Sequence, residues 1–244
     1  MSTLAIIPAR GGSKRLPRKN VIEFRGRPII AYTIEAARAS TSFERIVVST
    51  DDDEIAEIAR RFGAETDRRP AKLATDQATV AETCLEFLDR EQKAGRSWRV
   101  MTCLYATAPM RNADDIRATL GLLEPGRCDF AMAVTRYAVA PHQALKLGPD
   151  GELAPMWPDL VERRASEMPP FVVDNGSTYV VDVAAFRAHG TFYGPTLRGY
   201  EMPHERSIDI DTRDDYELAL WVANRFGLAA QEVPATGSMI GKRV

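Results

Sequence analysis

Five cationic side chains follow the first apolar segment of the chain within a stretch of ten residues. The segment Leu4–Ile7 is a short apolar run, typical of a buried strand. Gly11, Gly12 and Ser13 come next, among five cations: Arg10, Lys14, Arg15, Arg18 and Lys19. Adjacent glycines allow a turn in which consecutive N–H groups point at one anion. Because ligands of open α/β sheets bind beyond the carboxyl ends of strands, we expect a polyphosphate here, most simply a nucleoside triphosphate.

A solvated basic turn is the alternative, and for the cations alone it would be the better interpretation. The position of Gly-Gly-Ser directly after the first strand favours the anion site. The loop contains neither Gly-x-x-x-x-Gly-Lys-[Ser/Thr] nor Gly-x-Gly-x-x-Gly. Kinase-type, GTPase-type and NAD-dependent functions therefore lose their main support.

Two aspartates near the other end of the chain form a second candidate site. The segment 206–211 alternates polar and apolar residues, which predicts a strand with Asp209 and Asp211 on the same side. Mg²⁺ prefers hard oxygens from one or two carboxylates together with phosphates. Beside a triphosphate, the pair predicts a Mg²⁺ (or Mn²⁺) site. The alternative makes Asp211 a carboxylate at a helix N-terminus and Asp209 a polar residue at a strand end.

Charge and composition limit the partners. The chain has 32 Lys plus Arg against 34 Asp plus Glu, so its net charge of −2 gives no overall basic footprint for nucleic acid. No apolar run approaches the roughly 18 residues of a membrane span, and the chain opens into a strand rather than a signal peptide. We expect a cytoplasmic protein without nucleic-acid or membrane partners. Cys84, Cys103 and Cys128 lack metal-ligand spacing and are predicted to be buried thiols.

The hydrophobic pattern alternates between strand-like and helix-like segments, which predicts an α/β fold whose mainly parallel sheet is covered on both faces. A single domain is expected over residues 1–226, followed by a loosely held tail over 227–244. Strands are predicted near 4–7, 45–50, 64–66, 99–105, 128–134, 177–181 and 206–211. Helices are predicted near 28–39, 52–62, 80–88, 112–123, 183–189 and 212–226.

Residues 137–171 break this alternation. The segment holds six prolines and only short apolar pieces, which is typical of an insertion. A surface loop or a lid is equally acceptable from the sequence. Met156, Trp157 and Phe171 would form an exposed apolar patch in such a segment, and patches of this kind usually mark contacts. We therefore expect a homodimer with this insertion in its interface.

The opening loop also carries a family resemblance. Its Ile7-Pro-Ala-Arg-Gly-Gly-Ser-Lys14, followed by Leu-Pro and Lys-Asn, resembles the signature of cytidylyltransferases that activate sialic-acid-like sugars as CMP derivatives. The likeness extends over roughly residues 4–225. It implies a three-layer α/β/α nucleotidyltransferase (Rossmann-like) fold with a dimerisation insertion. It also implies attack by the anomeric hydroxyl of a 2-keto sugar acid on the α-phosphate of CTP, with release of pyrophosphate.

The same resemblance implies roles for individual residues. Arg10, Lys19 and Asp211 would be catalytic, and Asp209 and Asp211 would hold the metal. Thr107, Gln143 and Tyr179 would contact the sugar. The implied CTP-binding residues are Ala9, Arg10, Gly11, Gly12, Ser13, Lys14, Lys19, Asn20, Arg69, Asp76, Thr79 and Ala106. For Asp76, a helix cap is as good an interpretation as a nucleotide contact.

The pseudaminic acid cytidylyltransferases are the most similar branch, through Arg-Leu-Pro-Arg-Lys-Asn in the loop, Tyr105–Pro109 and Pro141–Leu145. Asp174–Tyr179 departs from the usual sequence of that branch. N-acetylneuraminate and legionaminate are therefore alternative sugars. An inactive nucleotide-binding or scaffolding relative is the alternative from another class, although it would have no need to keep Arg10, Lys19 and the aspartate pair.

Overall fold

Eleven strands and six helices make up the computed structural model, which describes residues 2–124 and 126–227. The strands are β1 (Thr3–Pro8), β2 (Glu23–Phe24), β3 (Arg27–Pro28), β4 (Arg45–Thr50), β5 (Glu65–Arg68), β6 (Val100–Leu104), β7 (Phe130–Arg136), β8 (Leu145–Leu147), β9 (Leu153–Pro155), β10 (Val172–Asp182) and β11 (Leu197–Glu201). The helices are α1 (Ile29–Ser40), α2 (Asp53–Arg61), α3 (Val80–Lys93), α4 (Ala113–Leu120), α5 (Val183–His189) and α6 (Arg213–Arg225).

Seven strands form the central sheet in the order β11-β7-β10-β6-β1-β4-β5. All neighbours in it are parallel except β10, which runs antiparallel to both β6 and β7. The expectation of a mainly parallel sheet is confirmed. Since β10 runs the opposite way, its first half lies at the same edge of the sheet as the carboxyl ends of β1, β4 and β6.

Helices cover both faces of the sheet because the inner strands are apolar on both sides. In β1, Leu4 and Ile6 pack with α3 and α5, whereas Ala5 and Ile7 pack with α1, α2 and α4. All four side chains are fully buried, and each buried Leu or Ile contributes about 1.5–3 kcal/mol. Helix α6 packs separately, against α1 and the β2–β3 hairpin. The three-layer architecture follows from this division of the core, in which the three cysteines are buried as predicted.

Three helices begin at side-chain caps formed by residues that are close together in the sequence. Asp52 caps α2 through a hydrogen bond from the Ile55 N–H. Asn112 with Asp115, and Thr212 with Asp215, form capping boxes at α4 and α6. Pro28 differs: it precedes the first turn of α1 and pairs with Glu23 in the hairpin.

The predicted last strand, 206–211, is wrong. Residues 204–206 form a 3-10 turn, and 207–211 run as irregular chain with one backbone hydrogen bond to the sheet edge, from Ile210 N–H to the Thr107 carbonyl at 2.9 Å. The alternation has another cause, because Ile208 and Ile210 bury against the α6 cluster. The sheet position beside β7 is taken by β11, which the sequence did not predict.

The insertion, 137–171, contains the small hairpin β8–β9 and two short 3-10 turns. Several of its apolar side chains are exposed, among them Leu147 at 75% and Leu153 at 62%, with Trp157 at 44%. The predicted tail lies outside the described residues beyond Gly227. No helix in the described part of the chain is both long and apolar enough to cross a bilayer.

Candidate active site

A cleft opens at the carboxyl ends of β1, β4 and β6. It consists of two cavities, of about 500 and 210 Å³, that share Arg10, Thr75 and Asp76. The larger cavity is otherwise lined by Gly11, Gly12, Ser13, Lys14, Pro17, Arg18 and Ala74. The smaller is otherwise lined by Pro8, Lys19, Asn20, Arg69, Leu73, Ala78, Val80, Thr83, Tyr105, Ala106 and Thr107. Most of the predicted CTP-binding residues therefore come together around one opening.

Carboxylates pair with the cations of the opening loop. Arg10 Nη1 lies 2.7 Å from Asp76 Oδ1, and Lys14 contacts the other oxygen of Asp76. These hydrogen bonds, from Lys14 first and then Arg10, lower the pKa of Asp76. On the other side of the loop, Lys19 Nζ lies 2.5 Å from Asp211 Oδ1, and Arg15 Nη2 lies 2.5 Å from Asp211 Oδ2. Four of the five loop cations thus meet on two carboxylates.

Arg18, the fifth cation, pairs with Asp52 and Glu54 at the start of α2. Its hydrogen bond to Asp52 is the main reason that the pKa of Arg18 is raised and that of Asp52 is lowered. Arg18 therefore ties the loop to α2, although its side chain also borders the larger cavity.

The two glycines differ in their surroundings. Neither has a positive φ, although the chain bends at Gly11, where the Ser13 N–H donates to the Gly11 carbonyl at 3.2 Å. Gly11 is needed for close approach, because a Cβ there would lie 2.6 Å from Asp52 Oδ2, whereas a Cβ on Gly12 would meet nothing within 4 Å. The Gly11 N–H donates to Asp51 Oδ1 at 3.0 Å. Beside it, the buried Ser13 hydroxyl has no hydrogen-bond partner within the described residues, which suits a ligand that accepts hydrogen bonds.

Other predicted nucleotide residues shape the walls of the cleft. The side-chain amide of Asn20 donates to the Arg10 carbonyl at 2.8 Å and so holds the loop closed on itself. Arg69 is buried, which lowers its pKa, and its Nη2 donates to the Ser49 carbonyl at 2.7 Å. Ala9 is fully buried and its N–H bonds the same carbonyl at 3.0 Å. Ala106 is buried and lines the smaller cavity.

Helix α3 is capped by Thr79 rather than Asp76. The Thr79 hydroxyl accepts from the Glu82 N–H, and Glu82 accepts from the Thr79 N–H in return. The helix-cap interpretation of Asp76 is therefore wrong. Thr79 lies between Ala78 and Val80, which line the cleft, but its own side chain is engaged in the cap.

The aspartate pair lies beside the loop cations, and the pKa values of its two members are shifted in opposite directions. Thr107 Oγ1 donates to Asp209 Oδ1 at 2.5 Å. Burial raises the pKa of Asp209 to about 6; the Thr107 hydrogen bond opposes this and the charge of Asp211 adds to it. Burial alone would also raise the pKa of Asp211, but Lys19 and then Arg15 outweigh it and the net pKa is lowered.

This donor set suits a hard divalent cation. Both side chains offer carboxylate oxygens, and a bound cation would stabilise the ionised form of Asp209, whose pKa is raised by burial and, less, by the charge of Asp211. Within residues 2–124 and 126–227, no group of three or more His, Cys, Asp and Glu is arranged as a metal cage. The remaining ligands would therefore come from substrate phosphates and water, as is usual for Mg²⁺.

The three predicted sugar residues are separated. Thr107 lines the cleft. Tyr179 is buried on β10, and its ring centroid lies 5.1 Å from that of Tyr105, a cleft residue. Gln143 is exposed in the insertion, at the end of a 3-10 turn, and does not line either cavity of the cleft.

Sequence reasoning missed two supports of the cleft. Arg111 is fully buried, which lowers its pKa to about 10, and it donates to the Ser177 carbonyl at 2.7 Å and to Thr33 Oγ1 at 2.6 Å. The second is a bulge in β10 around Gly176, where the register against β7 shifts between Asp174 and Tyr179. An isolated glycine inside a strand pattern was the signal that could have found it.

The fold and the cleft together define a nucleotidyltransferase of the three-layer α/β type. The sequence profile of a family described as Cytidylyltransferase matches residues 4–141, and the chain belongs to that family. It is 32% identical over 220 residues to the pseudaminic acid cytidylyltransferase of Campylobacter jejuni, covering 90% of this chain and 95% of that protein. It is 34% identical over 223 residues to the CMP-N,N'-diacetyllegionaminic acid synthase of Legionella pneumophila, covering 89% and 94%.

An N-acylneuraminate cytidylyltransferase of Escherichia coli is 31% identical over 226 residues, which cover 91% of this chain and 52% of that longer protein. Solved structures share the fold at lower identity. CMP:2-keto-3-deoxy-manno-octonic acid synthetase complexed with CTP has a TM-score of 0.69 at 16% identity, covering 93% of this chain and all of that one. The 4-diphosphocytidyl-2C-methyl-D-erythritol synthase of Anaerococcus prevotii has a TM-score of 0.61 at 14% identity, covering 92% and 99%.

Proposed function

We propose that this enzyme transfers CMP from CTP to a nonulosonic acid, with pseudaminic acid as the best acceptor. The observation that carries the proposal is the convergence of Arg10, Lys14, Arg15 and Lys19 on two carboxylates at the end of β1. Triphosphate oxygens can replace those carboxylate oxygens as partners of the cations. The names of the relatives supply the class of acceptor, and membership of the cytidylyltransferase family supports the nucleotide.

The proposed reaction is an attack by the anomeric hydroxyl oxygen of the sugar acid on the α-phosphorus of CTP. The new bond joins that oxygen to phosphorus, the hydroxyl proton passes to water, the bond from the α-phosphorus to the bridging oxygen breaks, and pyrophosphate leaves. Negative charge grows on the phosphate oxygens in the transition state. In this proposal Arg10 and Lys19 stabilise that charge, and Asn20 supports the loop through its hydrogen bond to the Arg10 carbonyl.

Asp209 and Asp211 would hold Mg²⁺ (or Mn²⁺), which supplies Lewis-acid stabilisation of the phosphate oxygens when bound. Thr107 keeps one oxygen of Asp209 fixed by its 2.5 Å hydrogen bond. Lys19 now occupies Asp211 Oδ1, and in the substrate complex it can turn from that carboxylate to a phosphate oxygen. The ion pair with Asp211 thus keeps the Lys19 ammonium group near the position from which it would contact a phosphate oxygen.

Pyrophosphate release tests the proposal directly. CTP, ATP, GTP and UTP are each supplied with pseudaminate, legionaminate, N-acetylneuraminate or 3-deoxy-octulosonate, with and without Mg²⁺. We expect turnover with CTP and a nonulosonic acid only, and fastest with pseudaminate. Equal turnover of ATP and CTP contradicts the nucleotide assignment. A clear preference for N-acetylneuraminate contradicts the acceptor, and no release with any pair identifies an inactive relative.

A homodimer built on the insertion is part of the same proposal. Leu147, Leu153 and Trp157 are exposed apolar side chains on the insertion, and exposed apolar patches usually mark contacts between proteins. Light scattering at assay concentration should give a dimer, and Leu147→Asp with Leu153→Asp should give a monomer. A monomeric wild-type protein would contradict the proposal.

A further inference from the structure

The bulge in β10 brings a carboxylate to two tyrosine hydroxyls. Against β7, Asp174 pairs with Val134 and Tyr179 pairs with Met132, so five steps along β10 correspond to two along β7. Gly176 in the bulge has φ +65°, and its N–H donates to Asp174 Oδ1 at 2.9 Å. Because of the extra residues in the bulge, the Asp174 side chain contacts the Tyr179 side chain of the same strand.

The Tyr179 hydroxyl donates to both oxygens of Asp174, at 3.0 and 2.9 Å. The Tyr193 hydroxyl donates to Asp174 Oδ2 at 2.5 Å. Burial, and then the hydrogen bond to Asp174, raises the pKa of Tyr193 to about 12, and burial raises that of Tyr179. Both hydroxyls therefore keep their protons at neutral pH and act as donors. Tyr193 itself is 62% exposed, so Asp174 joins a buried ring to one that solvent and ligands reach.

The cluster of Asp174, Tyr179 and Tyr193 adjoins the wall of the cleft. Tyr105 lines the smaller cavity and packs on Tyr179. On the other side of the bulge, the Gly176 backbone lies against the aspartate pair, since a Cβ there would be 2.7 Å from Asp209 Oδ2. A sugar acid that reaches the α-phosphate beside Asp209 must therefore lie next to the bulge.

Asp174 is an unusual choice for a purely structural position. Within the part of the chain that the structure describes, it forms no ion pair with Lys, Arg or His and is held only by neutral donors. A half-buried carboxylate without a cation gains little for stability over an amide or an apolar side chain. Charge-assisted hydrogen bonds from two hydroxyls do, however, fix the two rings more firmly than neutral hydrogen bonds would.

We propose that Asp174 is a positioning residue for the acceptor sugar, holding the exposed Tyr193 ring and the buried Tyr179 ring in fixed positions at the β10 bulge. The inference rests on the proposed function and adds a determinant of acceptor affinity to it. Asp174 acts through the tyrosines and leaves the CTP side of the cleft unchanged, because the loop cations are paired with Asp76 and Asp211 instead.

Steady-state kinetics of Asp174→Asn, Tyr193→Phe and the double variant test this role, with pseudaminate and N-acetylneuraminate as acceptors. Each single change removes a hydrogen bond to a charged group or weakens it, so we expect the KM for the acceptor to rise about tenfold. The KM for CTP should stay within about twofold. Because Asp174 acts through Tyr193 and Tyr179, the effects of the two changes should be less than additive in the double variant.

Tyr216→Phe is the matched control. Tyr216 lies on α6, away from the bulge, and its hydroxyl donates to the Glu23 carbonyl at 2.7 Å. Its acceptor KM should equal that of the wild type. The exposed Tyr193 change keeps the test valid even where Asp174→Asn fails to fold. An acceptor KM within twofold of wild type in Tyr193→Phe overturns the role, as does a parallel rise of both KM values with a lowered melting temperature. An inactive wild-type enzyme overturns the proposed function itself, and this inference with it.

Discussion

The opening loop and the β10 bulge contact different members of the same aspartate pair, with different chemistry. The loop brings Lys19 and Arg15 to Asp211 as ion pairs. The bulge brings a glycine backbone to Asp209, and its own carboxylate, Asp174, is held by neutral hydroxyls. Ion pairs at a partly exposed site exchange readily for ligand charges, because each contributes little by itself. The hydrogen bonds of Asp174 instead link β10 to the segment after α5 and keep the Tyr193 ring in place.

The two sides therefore divide the proposed work: the loop responds to phosphate, and the bulge presents a preformed surface to the sugar. A change in the loop should act on turnover and on CTP, and a change in the bulge should act on the acceptor. The variants below test that division from the largest expected effect to the smallest.

Loss of either carboxylate of the proposed metal site should have the largest effect. Asp209→Asn and Asp211→Asn keep size but remove charge, so kcat should fall roughly a thousandfold or more, since a metal ion contributes several kcal/mol and about 1.4 kcal/mol is a factor of ten. The fall in kcat is measured as pyrophosphate release at increasing Mg²⁺ concentrations. Asp53→Asn, at an exposed ion pair on α2, is the control. Near-normal turnover of both variants would end the metal hypothesis.

Removal of a loop cation should rank second. Lys19→Ala and Arg10→Ala each delete a charge on a partly exposed loop, so kcat should fall roughly a hundredfold while the fold remains intact. Arg68→Ala, which removes an exposed cation that pairs with Asp53, should be close to wild type. Circular dichroism accompanies the kinetics, and unfolding of the loop variants would point to a structural role instead.

Substitution of the two loop glycines should change the free energy of unfolding by different amounts. In Gly11→Ala the new Cβ displaces Asp52, which caps α2 and pairs with Arg18, so we expect a loss of about 1–2 kcal/mol. Gly12→Ala meets no neighbour and should stay within about 0.5 kcal/mol of wild type. Urea unfolding compares them, and equal losses would contradict the close-approach explanation.

Asp209→Asn should also stabilise the metal-free protein. The pKa of Asp209 in the folded protein is raised to about 6 from 3.8, so its ionisation lowers the free energy of unfolding. This loss of stability is present above pH 6 and vanishes below about pH 4. In EDTA at pH 7.5 the variant should gain about 1–2 kcal/mol, and the gain should shrink as the pH falls toward 4. Thermal unfolding at three pH values measures it, and a pH-independent difference would exclude this explanation.

The smallest effect is expected at Asp76. Its exposed carboxylate pairs with Arg10 and Lys14 in the absence of CTP, so Asp76→Asn frees two cations without removing either. The KM for CTP should change less than about threefold. A loss comparable to that of Arg10→Ala would instead make Asp76 a direct contributor to catalysis.

Much of the fold could be predicted because its signals are local. The apolar run of β1, the helix periodicity and the capping boxes each lie within a few consecutive residues, and they determine which segments become helix or strand. The opening loop is similar: its cations are adjacent in sequence, follow a buried strand, and so had to meet at one edge of the sheet.

Other features depend on where distant segments meet, and only the tertiary structure decided them. The alternation of 206–211 is equally satisfied by burial against α6, so it could not distinguish a strand from an irregular segment. Which acids pair with which cations is likewise undetermined by sequence, since Lys19 and Asp211 are 192 positions apart. The Asp174–Tyr193 contact requires both a bulge in β10 and a return of the chain after α5. Local preferences thus fixed the elements, whereas contacts between them follow from packing that no single segment encodes.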